Sequence, residues 1–359
     1  MKPQKTIRVC FILDHKLNDY RLPLFKSLTE IGYDITLFHS GEINEKFDIN
    51  KQRFMKRIPL GPLEYRIYPK LNSYDIVVNM QNLRIINLWY ITLLPFRKYK
   101  LIHWGIGISS SKGLSNKKTV LSVMRNWLTN FADSVILYSE FPLTLYSKEN
   151  RAKTFIAHNT IENDFKINTS TNQKDYFLFI GSLNKRKGLM QLIISFSNYL
   201  KHDQKLCINK LVIVGDGPML SKLKELVYSL GIESNVDFCG KVADTERKIE
   251  IFKSAVATIS PLQAGLSVLE SFSYGVPFIC FNNAISGGEH LNIIDGYNGF
   301  LVKTSNELLE KMIQFNINLD EARTLGNNAY KYYYSSRTMC HMVREFKKAF
   351  DYVHKINVD

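Results

Sequence analysis

Two doubly wound α/β domains are the architecture this chain predicts. Three observations carry that expectation. The chain has 359 residues, more than one layered core holds and too few for three. Short β-rich apolar runs alternate with helical patterns along its length. A polar, turn-rich stretch without apolar periodicity, Asn159 to Asp175, separates two such series and is where the interdomain linker is expected. With 45% hydrophobic and 22% charged residues, the composition excludes a mostly disordered, collagenous or membrane-embedded protein.

The first series opens with the apolar run Ile7 to Leu13, then a polar loop, a helical pattern from Pro23 and a second strand, Asp34 to His39, which together make the βαβ unit of a parallel sheet. Further strands are expected at Asp75 to Asn79, Leu101 to His103 and Ser134 to Tyr138, the last after an amphipathic stretch, Thr119 to Phe131. The second series places strands at Tyr176 to Ile180, Leu211 to Val214, Asn235 to Phe238, Ala257 to Ile259 and Pro277 to Phe281. From Thr338 to Val353, apolar residues from Met339 to Val353 recur at helical spacing and predict one buried face. The expected boundaries are 1–165, 166–335, and 336–359 for a terminal helix packing back toward the first domain.

Charge is uneven. Lysine and arginine number 47 against 33 acids, for a net charge of +14. Met1 to Phe165 holds 24 basic and 14 acidic residues, so most of the excess sits in the first half. An anionic partner accounts for it: nucleic acid, an acidic bilayer or a phosphorylated substrate. Solubility charge is the plainer alternative. Cys10, Cys207, Cys239, Cys280 and Cys340 show no CxxC spacing and read as reduced core residues of a cytosolic protein. Ile7 to Leu13 ends in Asp14 without a small-residue cleavage site, so it does not read as a signal peptide. Leu83 to Phe96 is the longest near-apolar run, and Arg84, Asn87 and Pro95 keep it from reading as a spanning helix.

Four glycine-bearing loops follow strands of the second series, where open α/β sheets place ligands. Gly181 to Gly188 (GSLNKRKG) sets three cations before a helix, charge enough for a phosphate, or else a solvated surface loop. Gly215-Asp216-Gly217-Pro218 departs from the dinucleotide fingerprint at Leu220 and at the proline, and reads as a tight turn or a donor-side loop. The strand end around Lys241 and Val242 offers backbone groups to a base. Gly265-Leu266-Ser267 runs into a helix whose N–H groups and dipole would favour a diphosphate, and Glu270, one turn on, could accept from ribose hydroxyls. Each has a structural alternative as a helix-surface or turn residue.

This ordered set resembles the retaining glycosyltransferases of family 4, whose GT-B architecture is two facing Rossmann-like domains with a cleft between them. GSLNKRKG, LVIVGDGP, VDFCGKV, GLSVLESFSYGVPFI and DGYNGFLV stand in the family's order, while the first domain matches more loosely through LNDYRLPLFKSL, HWGIG and ADSVILYSE. The resemblance implies that Lys187 and Arg186 meet the donor diphosphate with Gly181, Ser182, Gly215, Gly265, Leu266 and Ser267, and that Glu270 holds the ribose. It implies that Lys241 and Val242 read the base and that His103 sits on the acceptor side, where a buried structural histidine is the alternative. Glu289 is given a supporting role. The chain departs from the pattern at Leu262, where the family carries a glutamate on the donor sugar, and at Ser182, where it carries an arginine.

No Asp-x-Asp occurs in the chain, so Lys187, Arg186 and the helix start are expected to neutralise the departing diphosphate without a metal or other cofactor. The expected reaction is transfer, with retention, of a hexose-type sugar from UDP or GDP to a glycan acceptor, lipid-linked, in surface polysaccharide assembly. Arg21 is expected to hold an anionic group of that acceptor, or else to be an exposed loop arginine. The basic first domain and Leu83 to Phe96 suggest a cytoplasmic protein placed peripherally on an anionic inner membrane. Nucleic acid is not an expected partner, since no RNA-binding or zinc pattern is present. The competing readings are an epimerase on the same fold and a non-catalytic nucleotide-binding protein.

Overall fold

The computed structural model describes residues 6–67, 70–109, 114–163, 174–202 and 207–355. Much of the expected linker therefore lies outside the described residues. The chain divides into two compact units: the first gathers Met1–Ser109, Ser115–Glu162 and Met339–Asp359, and the second is built on Asn163–Thr338.

Unit 1 begins with β1 (Arg8–Ile12), α1 (Leu22–Glu30), β2 (Asp34–His39) and β3 (Gln52–Phe54). An antiparallel hairpin, β4 (Lys56–Leu60) and β5 (Leu63–Ile67), stands apart from the main sheet. There follow β6 (Ile76–Met80), α2 (Ile86–Leu93), β7 (Lys100–Gly105), α3 (Val120–Thr129), β8 (Ser134–Leu137), α4 (Lys148–Ala152) and β9 (Thr154–Ile156). Seven of these strands form one parallel sheet in the order β3-β2-β1-β6-β7-β8-β9. β6 is buried at every position, as strands covered on both faces are, and this explains its near-continuous apolar run, in which Asn79 is the exception.

Alternation sorts the β1 side chains onto two faces: Val9 and Phe11 join one apolar cluster, Cys10 and Ile12 another. The first cluster is completed from the far end of the chain by α11 (Met339–Lys355). Its Phe346 ring lies 5.3 Å from Trp104 and 5.9 Å from Phe11.

Unit 2 runs β10 (Tyr176–Ile180), α5 (Leu189–His202), β11 (Lys210–Val214), α6 (Leu220–Ser229), β12 (Val236–Gly240), α7 (Thr245–Ser254), β13 (Ala255–Ile259) and α8 (Ser267–Ser273). It continues with β14 (Phe278–Phe281), β15 (Gly299–Val302), α9 (Ser305–Ile317) and α10 (Leu319–Ser336). Its parallel sheet has the order β12-β11-β10-β13-β14-β15. Phe177 and Phe179 face one core, Leu178 and Ile180 the other. Thr304 and Asn318 cap α9 and α10 by accepting from the N–H groups of Glu307 and Glu321.

One expectation fails here. Cys207, Cys239 and Cys340 are exposed, and the core holds only Cys10 and Cys280 of the five. Cys239 lies on edge strand β12, whose last residues face out, and Cys340 falls off the buried stripe of α11.

Candidate functional site

The strand order of unit 2 reverses between β10 and β13, the place where open α/β sheets bind ligands beyond their strand ends. The loop leaving β10 makes a single 3₁₀ turn, Lys185–Lys187. Asn184 caps it by accepting from the Arg186 N–H at 3.0 Å, and Gly188 ends it at φ +75°. This turn points Lys185 and Arg186 into solvent and buries Lys187, which is 8% exposed.

The Lys187 ammonium lies beside Gly181 and Gly265: a Cβ at those glycines would stand 3.6 and 4.0 Å from Nζ. No hydrogen bond or ion pair reaches it among the described residues. Burial lowers its pKa, the Glu289 carboxylate opposes that fall, and Arg186 adds to it. A buried cation in this state is a costly arrangement unless an anion completes it.

The start of α8 faces the same need. The backbone N–H groups of Gly265, Leu266 and Ser267 donate to no backbone carbonyl among the described residues. The Ser267 hydroxyl is buried without a hydrogen-bond partner among the described residues. One turn on, Glu270 accepts from Lys248 Nζ at 2.7 Å. Lys248, on α7, escaped the sequence reading because the pair spans two helices.

Other expected donor residues have local tasks. A Cβ at Gly215 would come 1.8 Å from the Gly181 carbonyl oxygen, so this glycine lets the loops after β10 and β11 cross. The Leu183 N–H to Asp216 carbonyl bond, 2.9 Å, ties them together. The Ser182 hydroxyl accepts from Asn184 Nδ2 at 2.7 Å on the exposed side of the turn. Lys241 is exposed and Val242 half-buried in the loop after β12. Leu262 packs against the backbone of Gly188, and its N–H donates to the Lys187 carbonyl at 3.3 Å. Glu289 is buried, accepting from the Gly287 N–H at 2.8 Å and the Ser286 hydroxyl at 3.1 Å. Its influence on Lys187 gives it a larger electrostatic part than its motif suggested.

In unit 1 the order reverses between β1 and β6, and a polar cluster sits there. Arg21 is buried, which overturns the exposed-loop alternative. Its Nη2 donates to the Tyr138 hydroxyl at 2.9 Å and its Nε to His15 Nε2 at 3.3 Å, and its guanidinium lies 4.6 Å from the Trp104 ring centre. Nη1 has no partner. His15 Nδ1 in turn donates to Asp14 at 2.6 Å, and Asn82 Nδ2 donates to the second Asp14 oxygen at 3.2 Å. Burial pushes the Asp14 carboxyl up, but the bonds from His15 and Asn82 outweigh it and hold the pKa below its usual value. The sequence reading missed Asp14, His15 and Asn82, although two of them directly follow β1.

The acceptor-side role for His103 does not survive. His103 is fully buried in β7, where Nε2 pairs with the Thr92 hydroxyl at 3.0 Å and Nδ1 faces Gln81 Nε2 at 3.4 Å. Burial lowers its pKa to about 3, aided by Lys153 and Arg97. A ring buried between β7 and α2 and paired on both nitrogens fits the structural alternative, packing the domain. Among the described residues, no group of three or more His, Cys, Asp or Glu side chains converges to hold a metal.

Residues 160–332 match the family model described as glycosyl transferases group 1. EpsD of Bacillus subtilis (strain 168), named as a glycosyltransferase, is 25% identical over 329 residues, 83% of this chain and 84% of that protein. Anabaena HepE in complex with UDP-glucose superposes with a TM-score of 0.68 at 16% identity, over 96% of this chain and 99% of that one. Sucrose-phosphate synthase from Thermosynechococcus elongatus superposes with a TM-score of 0.70 at 16% identity, over 98% and 100%. The two solved structures share the fold, while the family match spans the loops that carry Lys187 and α8. Residues 160–332, a little under half of the chain, thus resemble the group 1 glycosyl transferases, and the chain shares the two-sheet α/β fold of its GT-B neighbours.

Proposed function

We propose that this enzyme transfers a hexose-type sugar from UDP or GDP to a lipid-linked glycan in surface polysaccharide assembly, with retention of configuration. The observation that carries the donor half is Lys187, a largely buried lysine with no hydrogen-bond or ion-pair partner among the described residues, beside the open N–H groups of Gly265 to Ser267. As the glycosidic bond breaks, charge grows on the departing diphosphate, and fixed donors aimed there lower the barrier. Lys187 and the α8 start supply those donors, and Arg186 adds charge from the solvent side. Glu270, held by Lys248 through one oxygen, accepts from the ribose with the other. The backbone at Lys241 and Val242 meets the base. Gly181 and Gly215 let the loops approach the phosphates, and Ser182 lies at the rim.

UDP is the first base to try, because HepE was solved with UDP-glucose. The Arg21, His15 and Asp14 cluster of unit 1 is assigned to the acceptor, with Arg21 turned to its anionic group. The basic surplus of the first half supports a cytoplasmic site of action on an anionic membrane face. Retention is carried over from the resemblance to the retaining family 4 enzymes. Release of nucleoside diphosphate from UDP-sugars and GDP-sugars, with a lipid-linked glycan as acceptor, tests the proposal. Lys187→Ala is expected to lower the rate about 100-fold or more. Full activity in that variant removes Lys187 from the site.

A further inference from the structure

Helix α3 is inside out. Its buried residues are Ser122, Arg125, Leu128 and Thr129, whereas Val120, Leu121, Val123 and Trp127 are exposed, Val120 to 75%. Val120, Val123, Trp127 and Phe131 follow at spacings of three and four, so the apolar stripe of an amphipathic helix points to solvent. Polar contacts hold the inner side: Gln81 Nε2 donates to the Thr129 hydroxyl at 2.9 Å, and Asn150 Nδ2 donates to the Asn126 carbonyl at 2.9 Å and to Asn130 at 2.7 Å. The Trp127 and Phe131 rings meet edge-on at 5.1 Å. Phe131 also lines a groove with Leu93 and the fully exposed Phe96, which extends the apolar surface to the end of α2.

The charge around this face is mainly positive: Asp75, Asp133 and Asp351 also line the groove, but Asp133 is paired with Arg97 and Lys100, and Asp351 with Lys347. Residues 76–132 contain eight lysines and arginines and no aspartate or glutamate. Lys117 and Lys118 stand immediately before α3, and Lys98 follows Phe96. A second copy meeting this face about a two-fold axis would set cations against cations. An anionic bilayer complements both the apolar stripe and the charge.

We infer that α3, with the end of α2, is the element by which this enzyme inserts into an anionic membrane surface, Trp127 and Phe131 entering the headgroup boundary and Lys117 and Lys118 pairing with lipid phosphates. The inference rests on the peripheral reading above and moves its main contact from the 83–96 run to α3.

Flotation of the full chain with phosphatidylcholine vesicles, with and without roughly one-third phosphatidylglycerol, tests it. The wild type is expected to float with the anionic vesicles alone and to be released by high salt. Its fluorescence is expected to shift blue on binding, a shift absent in Trp127→Phe. Val123→Glu/Trp127→Glu and Lys117→Glu/Lys118→Glu are each expected to lower the partition coefficient at least about tenfold. Equal flotation of these variants and the wild type overturns the inference, as does a wild type that stays unbound at low salt. A dimer that Val123→Glu/Trp127→Glu dissolves, without flotation, assigns the face to a second copy and overturns it too. UDP titration of the same variants serves as the folding control. A wild type that floats yet ignores UDP and GDP defeats the donor proposal and leaves this one standing.

Discussion

Lys187 is the residue on which the proposed chemistry turns, and its isolation among the described residues makes a prediction opposite to that for an ordinary buried side chain. Its charge is desolvated with no partner among the described residues, so Lys187→Met is expected to keep or raise the Tm while abolishing donor binding. A large loss of Tm in nucleotide-free protein would show that the lysine is structural. His103 predicts the reverse pattern. Its pKa is about 3 when folded, against an ordinary value of 6.5, so the unfolded chain binds the extra proton between those values. Stability should therefore fall as pH drops through that window, by roughly 1 kcal/mol per unit from this group. His39 and His290, also lowered by burial, add to the same limb. His103→Asn should flatten the acid limb in pH-dependent denaturant melts, and an unchanged slope would contradict the assignment. The loop of Lys187 stood out in the sequence because three cations between two glycines after a strand suit a phosphate. The burial of His103 did not, because a histidine ending a strand looks the same whether it faces a cleft or lies under a helix.

At the scale of elements, most strands of both sheets could be read because covered parallel strands are near-continuous apolar runs, while the short edge strands β3, β9 and β15 were missed. The β4–β5 hairpin was missed: it lies outside the sheet and its residues alternate exposed and half-buried, which breaks the run. The case of α3 marks a different limit. Periodicity tells which residues share a helix face and leaves open which face turns inward; there, hydrogen bonds to Thr129, Asn126 and Asn130 decided it. The loops after β10 and β11 illustrate packing that a motif conceals. Gly215→Ala would drive a Cβ into the Gly181 carbonyl, and we expect a loss of about 1–3 kcal/mol in denaturant melts together with weakened UDP binding. Wild-type values on both counts would show that the two loops do not approach as described.

For the molecule as a whole, the first half's excess of charge and the second half's glycine loops fall into different compact units. Unit 1 depends on the far end of the chain, since α11 gives seven buried residues to it. At roughly 1.5–3 kcal/mol for each large apolar side chain buried, their loss approaches or exceeds a typical domain stability of about 5–15 kcal/mol. A chain ending at Thr338 is therefore expected to lose hydrogen-exchange protection across residues 6–162 and keep it across 174–338. Retained protection in the first range would contradict the place given to α11. The central claim, that unit 2 holds a nucleoside diphosphate on Lys187 and the start of α8, is tested most directly by calorimetric titration of the full chain with UDP and GDP. Saturable binding of one of them to the wild type, lost in Lys187→Ala, is the predicted result. Equal affinity in the two proteins, or no binding of either nucleotide to the wild type, would contradict it.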